Sequence, residues 1–221
     1  IKHGDNLLVY SAYGESFGNS DLPKEKIKVK EKMSDSEKNA TCEKLIFSII
    51  LKDKNNSIRM ERYFYFSNTS SEPIYELIAG IVFNSEEESQ DLNLRVYDEN
   101  ENELEISKIL APTPFSKKIE VKLAKPVFHE DSGRMVKISY DVKLSKNKFE
   151  NFFLINTKNF ELNFSHYSNV KYTPTLFYID NKNGNKNLIK PISQTSKGMF
   201  STTKWEKTQG INLKDMICLD W

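Results

Sequence analysis

A serine framed by glycines, Gly14-Glu15-Ser16-Phe17-Gly18, follows closely on the apolar stretch Leu7–Tyr10. That spacing sets a nucleophilic hydroxyl on a sharp turn after a strand, as acyl transfer requires. Histidines stand at 3, 129 and 166. His129, followed by Glu130 and Asp131, would serve acid–base or metal chemistry only if His166 folded beside it. The run Asp98-Glu99-Asn100-Glu101-Asn102-Glu103 places oxygen ligands at alternate positions, as a calcium loop does. The sharp bend of such a loop needs glycine where Glu103 stands, and its bidentate glutamate falls on Ile109, so the run reads as a solvated turn. No Walker lysine motif, dinucleotide glycine pattern or zinc-ligand spacing occurs. The expectation is a chain with no catalytic residues, no metal site and no cofactor.

Over its five residues the Ser16 motif resembles the nucleophile elbow of the α/β-hydrolase serine hydrolases. The resemblance implies a wound sheet flanked by helices, with Ser16 as nucleophile. The elbow needs an apolar helix directly after it, whereas here Asn19-Ser20-Asp21-Leu22-Pro23 leads into the Lys/Glu-rich run Lys24–Asn39. A glycine-containing turn is the better reading, with the serine hydrolase kept as an alternative. Replacing Ser16 by alanine is expected to leave activity unchanged.

Aromatic residues offer a different chemistry. Phe160, Leu162 and Phe164 fall on one side of a strand and read as core. Tyr167, Tyr172 and Tyr178, near Lys171, Lys182 and Lys186, are the candidates for an exposed ligand-binding surface that would stack rings on a small ligand or carbohydrate.

These residues must be positioned by strands. Leu92, Leu94 and Val96 alternate with polar residues, and the same beat returns at Ile119/Val121/Leu123 and at Val136/Ile138/Tyr140/Val142/Leu144. A period of two marks half-buried strands on a shared core. Further strands are expected at Asn6–Tyr13, Glu43–Lys52 and Met60–Asn68, with a short strand and solvated loop over Lys24–Asn39. Pro73–Phe83 carries helical spacing at Ile74, Leu77, Ile78 and Ile81, yet Gly80-Ile81-Val82-Phe83 favours a strand with a bulge at Gly80. Leu92–Asp98 and Glu103–Leu110 are expected to form a hairpin. Aromatic-rich strands follow after Ser145, with Trp205 in a loop before a last strand over Ile211–Leu219. The fold class is all-β, an immunoglobulin-like β-sandwich, read as one domain over 1–221 or as two tandem β units with a boundary near 145–150.

Composition narrows the function. The 221 residues carry a net charge of +1, with arginine only at 59, 62, 95 and 134, which argues against nucleic acid as a partner. No window approaches a membrane span. Cys42 and Cys218 lie far apart and read as reduced structural residues, favouring an intracellular over a secreted chain. The chain begins at Ile1, which suggests a piece of a longer polypeptide. Together these features point to a non-enzymatic recognition or assembly module that binds a protein partner, with a small-ligand or carbohydrate-binding module as the alternative.

Overall fold

In the computed structural model, the described residues are 5–12, 40–53, 56–82, 92–113, 116–144, 146–153, 155–212 and 214–221. The Ser16 motif and the Lys24–Asn39 run lie outside them. Among the described residues every regular element is a strand. In chain order these are β1 (Asp5–Ala12), β2 (Ala40–Leu51), β3 (Ser57–Asn68), β4 (Ile74–Val82), β5 (Arg95–Tyr97), β6 (Ile106–Thr113), β7 (Ser116–Val127) and β8 (Arg134–Lys143). The second half adds β9 (Lys148–Phe153), β10 (Thr157–Tyr167), β11 (Thr175–Ile179), β12 (Lys186–Ile189), β13 (Ser193–Lys197), β14 (Phe200–Lys207) and β15 (Met216–Asp220). No helix among the described residues is long and apolar enough to cross a membrane.

The strands form two sheets. A seven-stranded front sheet runs β13-β14-β10-β2-β3-β8-β5, and an eight-stranded back sheet runs β12-β11-β15-β9-β1-β4-β7-β6. Both are mixed, with β10 parallel to β2 in front and β1 parallel to β4 behind. Period-two alternation sorts each strand. In β3, Ile58, Met60, Phe64 and Phe66 are buried, while Arg59, Glu61, Tyr63 and Tyr65 face outward. A bulge between Cys42 and Lys44 leaves Glu43 and Lys44 both partly exposed.

The inward residues of both sheets form a continuous core. At its centre, front-sheet Phe47 meets back-sheet Phe149 edge to face at 5.6 Å, and Phe160 meets Phe47 at 5.7 Å and Phe153 at 5.5 Å. Such T-shaped contacts suit the ring quadrupole and lock the sheets in one relative position. Arg62 is the charged exception on the inward side of β3. Its guanidinium lies over the rings of Tyr140 (4.9 Å) and Phe47 (5.7 Å), and it donates a hydrogen bond to the Tyr140 hydroxyl.

Several sequence expectations meet the structure directly. Phe160, Leu162 and Phe164 are fully buried, as a core strand requires. Pro73–Phe83 contains strand β4, paired on both sides by β1 and β7, so tertiary pairing overrides the helical spacing. The irregularity in its pairing with β7 lies between Ile74 and Glu76 and not at Gly80. The expected hairpin across Asp98–Glu103 is corrected. It starts as one, with Leu104 N donating to Val96 O at 2.8 Å and a single Tyr97–Glu103 bridge. Leu104 is then buried, and the chain crosses so that β5 joins β8 in front while β6 joins β7 behind. Trp205, expected in a loop, sits buried within β14 opposite Leu162. Among the described residues the two sheets together hold fifteen strands, with a parallel pair in each, more than the seven to nine antiparallel strands that an immunoglobulin domain divides between its two sheets.

Candidate functional site

The outward side of the front sheet carries most of the organised polar chemistry. Because register aligns residues across strands, one polar rung spans all seven: Ser193, Lys204, Asn163, Ser48, Glu61, Ser139 and Arg95. The next rung holds Glu206, Glu161, Ile46, Tyr63, Lys137 and Tyr97. Cross-strand neighbours on one face stand close enough for their side chains to interact, and most of these charges are matched within the face, exposed Glu206 opposite Glu161 being the exception among the described residues.

Glu161, nearly buried, receives Lys204 at 2.9 Å, Lys44 at 3.1 Å and the Asn163 amide at 3.0 Å. Burial alone would raise its carboxyl. The amide and the two ammonium groups outweigh burial and hold it below the ordinary carboxylate range. Lys137 lies between the rings of Tyr97 (4.6 Å) and Tyr63 (5.9 Å), with its ammonium 2.6 Å from Glu101. The Tyr63 hydroxyl donates to Glu61 at 2.7 Å, and burial together with that carboxylate pushes the phenol up. Asp141 is likewise held down, because Asn93, Lys52 and Arg59 overcome its desolvation. A face largely compensated in this way can hydrogen-bond and stack.

Other candidates are placed apart. His129 is exposed and bridges to Asn68, the last residue of β3. His166 is buried at the far end of the sheet, where neighbouring Ser165 is in register with Ile50 and so with Arg59 near the start of β3. The two histidines are therefore not brought together. Asp98 uses its carboxylate on the backbone N–H groups of Asn100 (2.9 Å) and Asn102 (2.8 Å) and on the Asn102 amide, so it closes a turn. A small cavity of about 50 Å³ beside this turn is lined by Phe66, Leu104, Leu123, Val136 and Arg134, among others. No group of three or more His, Cys, Asp or Glu among the described residues is placed to hold a metal. Cys42 and Cys218 are buried and free, and desolvation pushes both thiols up to about 12.

The six residues singled out as a contact surface divide into two groups. Tyr167 is exposed and stacks on Phe200 at 4.8 Å, Lys171 is exposed in the following loop, and Tyr172 is half-buried, edge-on to His166 at 5.1 Å. Tyr178, Lys182 and Lys186 belong to the β11–β12 hairpin of the back sheet. There the Tyr178 hydroxyl donates to buried Asp215 at 2.5 Å, and burial with that carboxylate pushes the phenol up. Lys186 instead covers Phe177, on the opposite face of the strand from Tyr178, at 3.8 Å. The organised front face was missed in sequence. Its signal was the odd-numbered set Arg59, Glu61, Tyr63 and Tyr65, polar or amphipathic between buried neighbours.

No protein family matches this sequence, and no curated protein matches it. Solved structures do resemble the fold. A variant of a two-domain M1 zinc metallopeptidase bound to L-tryptophan matches 83% of this chain with a TM-score of 0.50 at 7% identity. An M1 zinc metallopeptidase variant from Deinococcus radiodurans bound to a Tyr-Ser-Ala substrate matches 82% with a TM-score of 0.50 at 6% identity. This chain spans only 43% and 42% of those two chains. At such identity the likeness concerns fold alone. It corrects the expectation of a recognition or assembly module that binds a protein partner, together with its ligand-sensing and serine-hydrolase alternatives, because this architecture is found within zinc peptidase chains.

Proposed function

We propose that the chain is the all-β portion of a metallopeptidase-type enzyme. In this reading it forms a frame against which a separate zinc-bearing part and its peptide substrate are held, and it supplies no catalytic group itself. The observation that carries the reading is the fold likeness at a TM-score of 0.50 over 82–83% of the chain, to structures in which the matched part is less than half of a peptidase chain. The compensated front face supports it: rungs of hydrogen-bonding side chains and two tyrosine rings suit contact with polypeptide better than bond cleavage. The two sheets are read here as one sandwich over 1–221.

The test compares the complete gene product with the 221-residue chain in hydrolysis of aminoacyl p-nitroanilides, with zinc and after chelation. Zinc-dependent hydrolysis by the complete product alone is expected. Hydrolysis by the 221-residue chain itself, or none by the zinc-loaded complete product, overturns the proposal.

A further inference from the structure

The inward side of β10 ends in Phe164 and His166, and three side chains from other parts of the fold gather there. Thr203 of β14 lies directly opposite Phe164 in the ladder. The indole of Trp221, just past β15, sits 5.1 Å from the Phe164 ring. The His166 ring lies 5.8 Å from that of Phe164 and meets Tyr172 in a T-shaped contact at 5.1 Å. Trp205 follows two residues after Thr203, on the same face of β14. Thr203, Trp205 and His166 are all more than nine-tenths buried.

Each of these side chains has a buried polar atom without a hydrogen-bond partner among the described residues: Thr203 Oγ1, His166 Nε2, Trp205 Nε1 and Trp221 Nε1. Their roles are complementary. The Tyr167 carbonyl, 2.9 Å from His166 Nδ1, can only accept, so Nδ1 carries a proton, and in that tautomer Nε2 is the acceptor. Both indole nitrogens donate, and the Thr203 hydroxyl does either. Buried polar groups in folded proteins are almost always satisfied, and an orphan typically weakens folding by roughly five- to a hundred-fold.

We propose that this end of the interior is an internal hydration site, where water bridges the Trp221 indole N–H, the Thr203 hydroxyl and His166 Nε2 and extends to Trp205. Water has two donors and two acceptors and ordinarily makes about three hydrogen bonds when buried. An anion would meet the Nε2 lone pair, and a cation would meet two indole N–H groups.

The test is solution NMR of the 221-residue chain together with the isosteric Thr203→Val variant. A cross-relaxation peak is expected between water and the Trp221 indole N–H, with a long-lived sign, and it is lost in Thr203→Val. That variant is expected to unfold with an equilibrium constant about tenfold less favourable to the native state. Absence of the peak in the parent chain, or a Thr203→Val chain as stable as the parent or more so, overturns the site. Should Thr203→Val not fold, the parent spectrum decides.

Discussion

Truncating Phe160 to alanine tests whether the two sheets share one interior. Phe160 has no exposed surface and makes edge-to-face contacts with Phe47 in its own sheet and with Phe153 in the other. Removing a fully buried phenylalanine costs about 3–5 kcal/mol. The strands on either side of β10, β2 and β14, are held by continuous ladders and cannot collapse into the space, so the upper end, about 4–5 kcal/mol, is expected. With a urea dependence of about 3 kcal/mol per molar for a chain of this length, the midpoint falls by about 1.5 M. Far-UV circular dichroism follows all strands, while tryptophan fluorescence follows Trp205 in front and Trp221 behind. Both signals should move together in one transition. A loss below about 2 kcal/mol, or signals that separate into two transitions, would refute the shared core and restore the boundary near 145–150.

Two carboxylates should respond to neutralisation with opposite sign. Glu150 is buried in β9 with Lys148 at 2.6 Å, and desolvation outweighs the lysine, leaving its carboxyl above the ordinary value. A raised carboxyl contributes stability in acid that is lost as pH rises through its folded value. Glu150→Gln should therefore raise the neutral-pH Tm by about 2–4 °C, with Lys148 still beside Asp220, and the gain should vanish below about pH 4. Glu161 is held below its ordinary value, so its contribution is present at neutral pH and lost as pH falls through the folded value. Glu161→Gln should cost about 1–2 kcal/mol at pH 7 and progressively less in acid, measured by thermal melts across pH. Equal and parallel pH profiles for the two variants would contradict both assignments. Asp98→Ala should cost about 2 kcal/mol, since three donors lose a charged acceptor. Asp98→Asn, which keeps one oxygen, should cost less in the same melts.

What could be read from the residues alone was the class and the sidedness of its parts. Alternation at Val136/Ile138/Tyr140 and at Phe160/Leu162/Phe164 names strands and their inward faces, because period two is a property of a single chain segment. Which strand lies beside which is decided by pairing between segments far apart in sequence, and no local pattern encodes it. So Leu92–Leu110 looked like a hairpin although its two halves serve different sheets, and the helical spacing of Ile74–Ile81 gave way to neighbours on both sides. The front face shows the same division. Glu61, Tyr63, Lys137 and Tyr97 are each visibly outward in their own strands, but the rungs exist only where β3, β8 and β5 align in register. Local stereochemistry sets the direction of a side chain, and only long-range pairing sets its company.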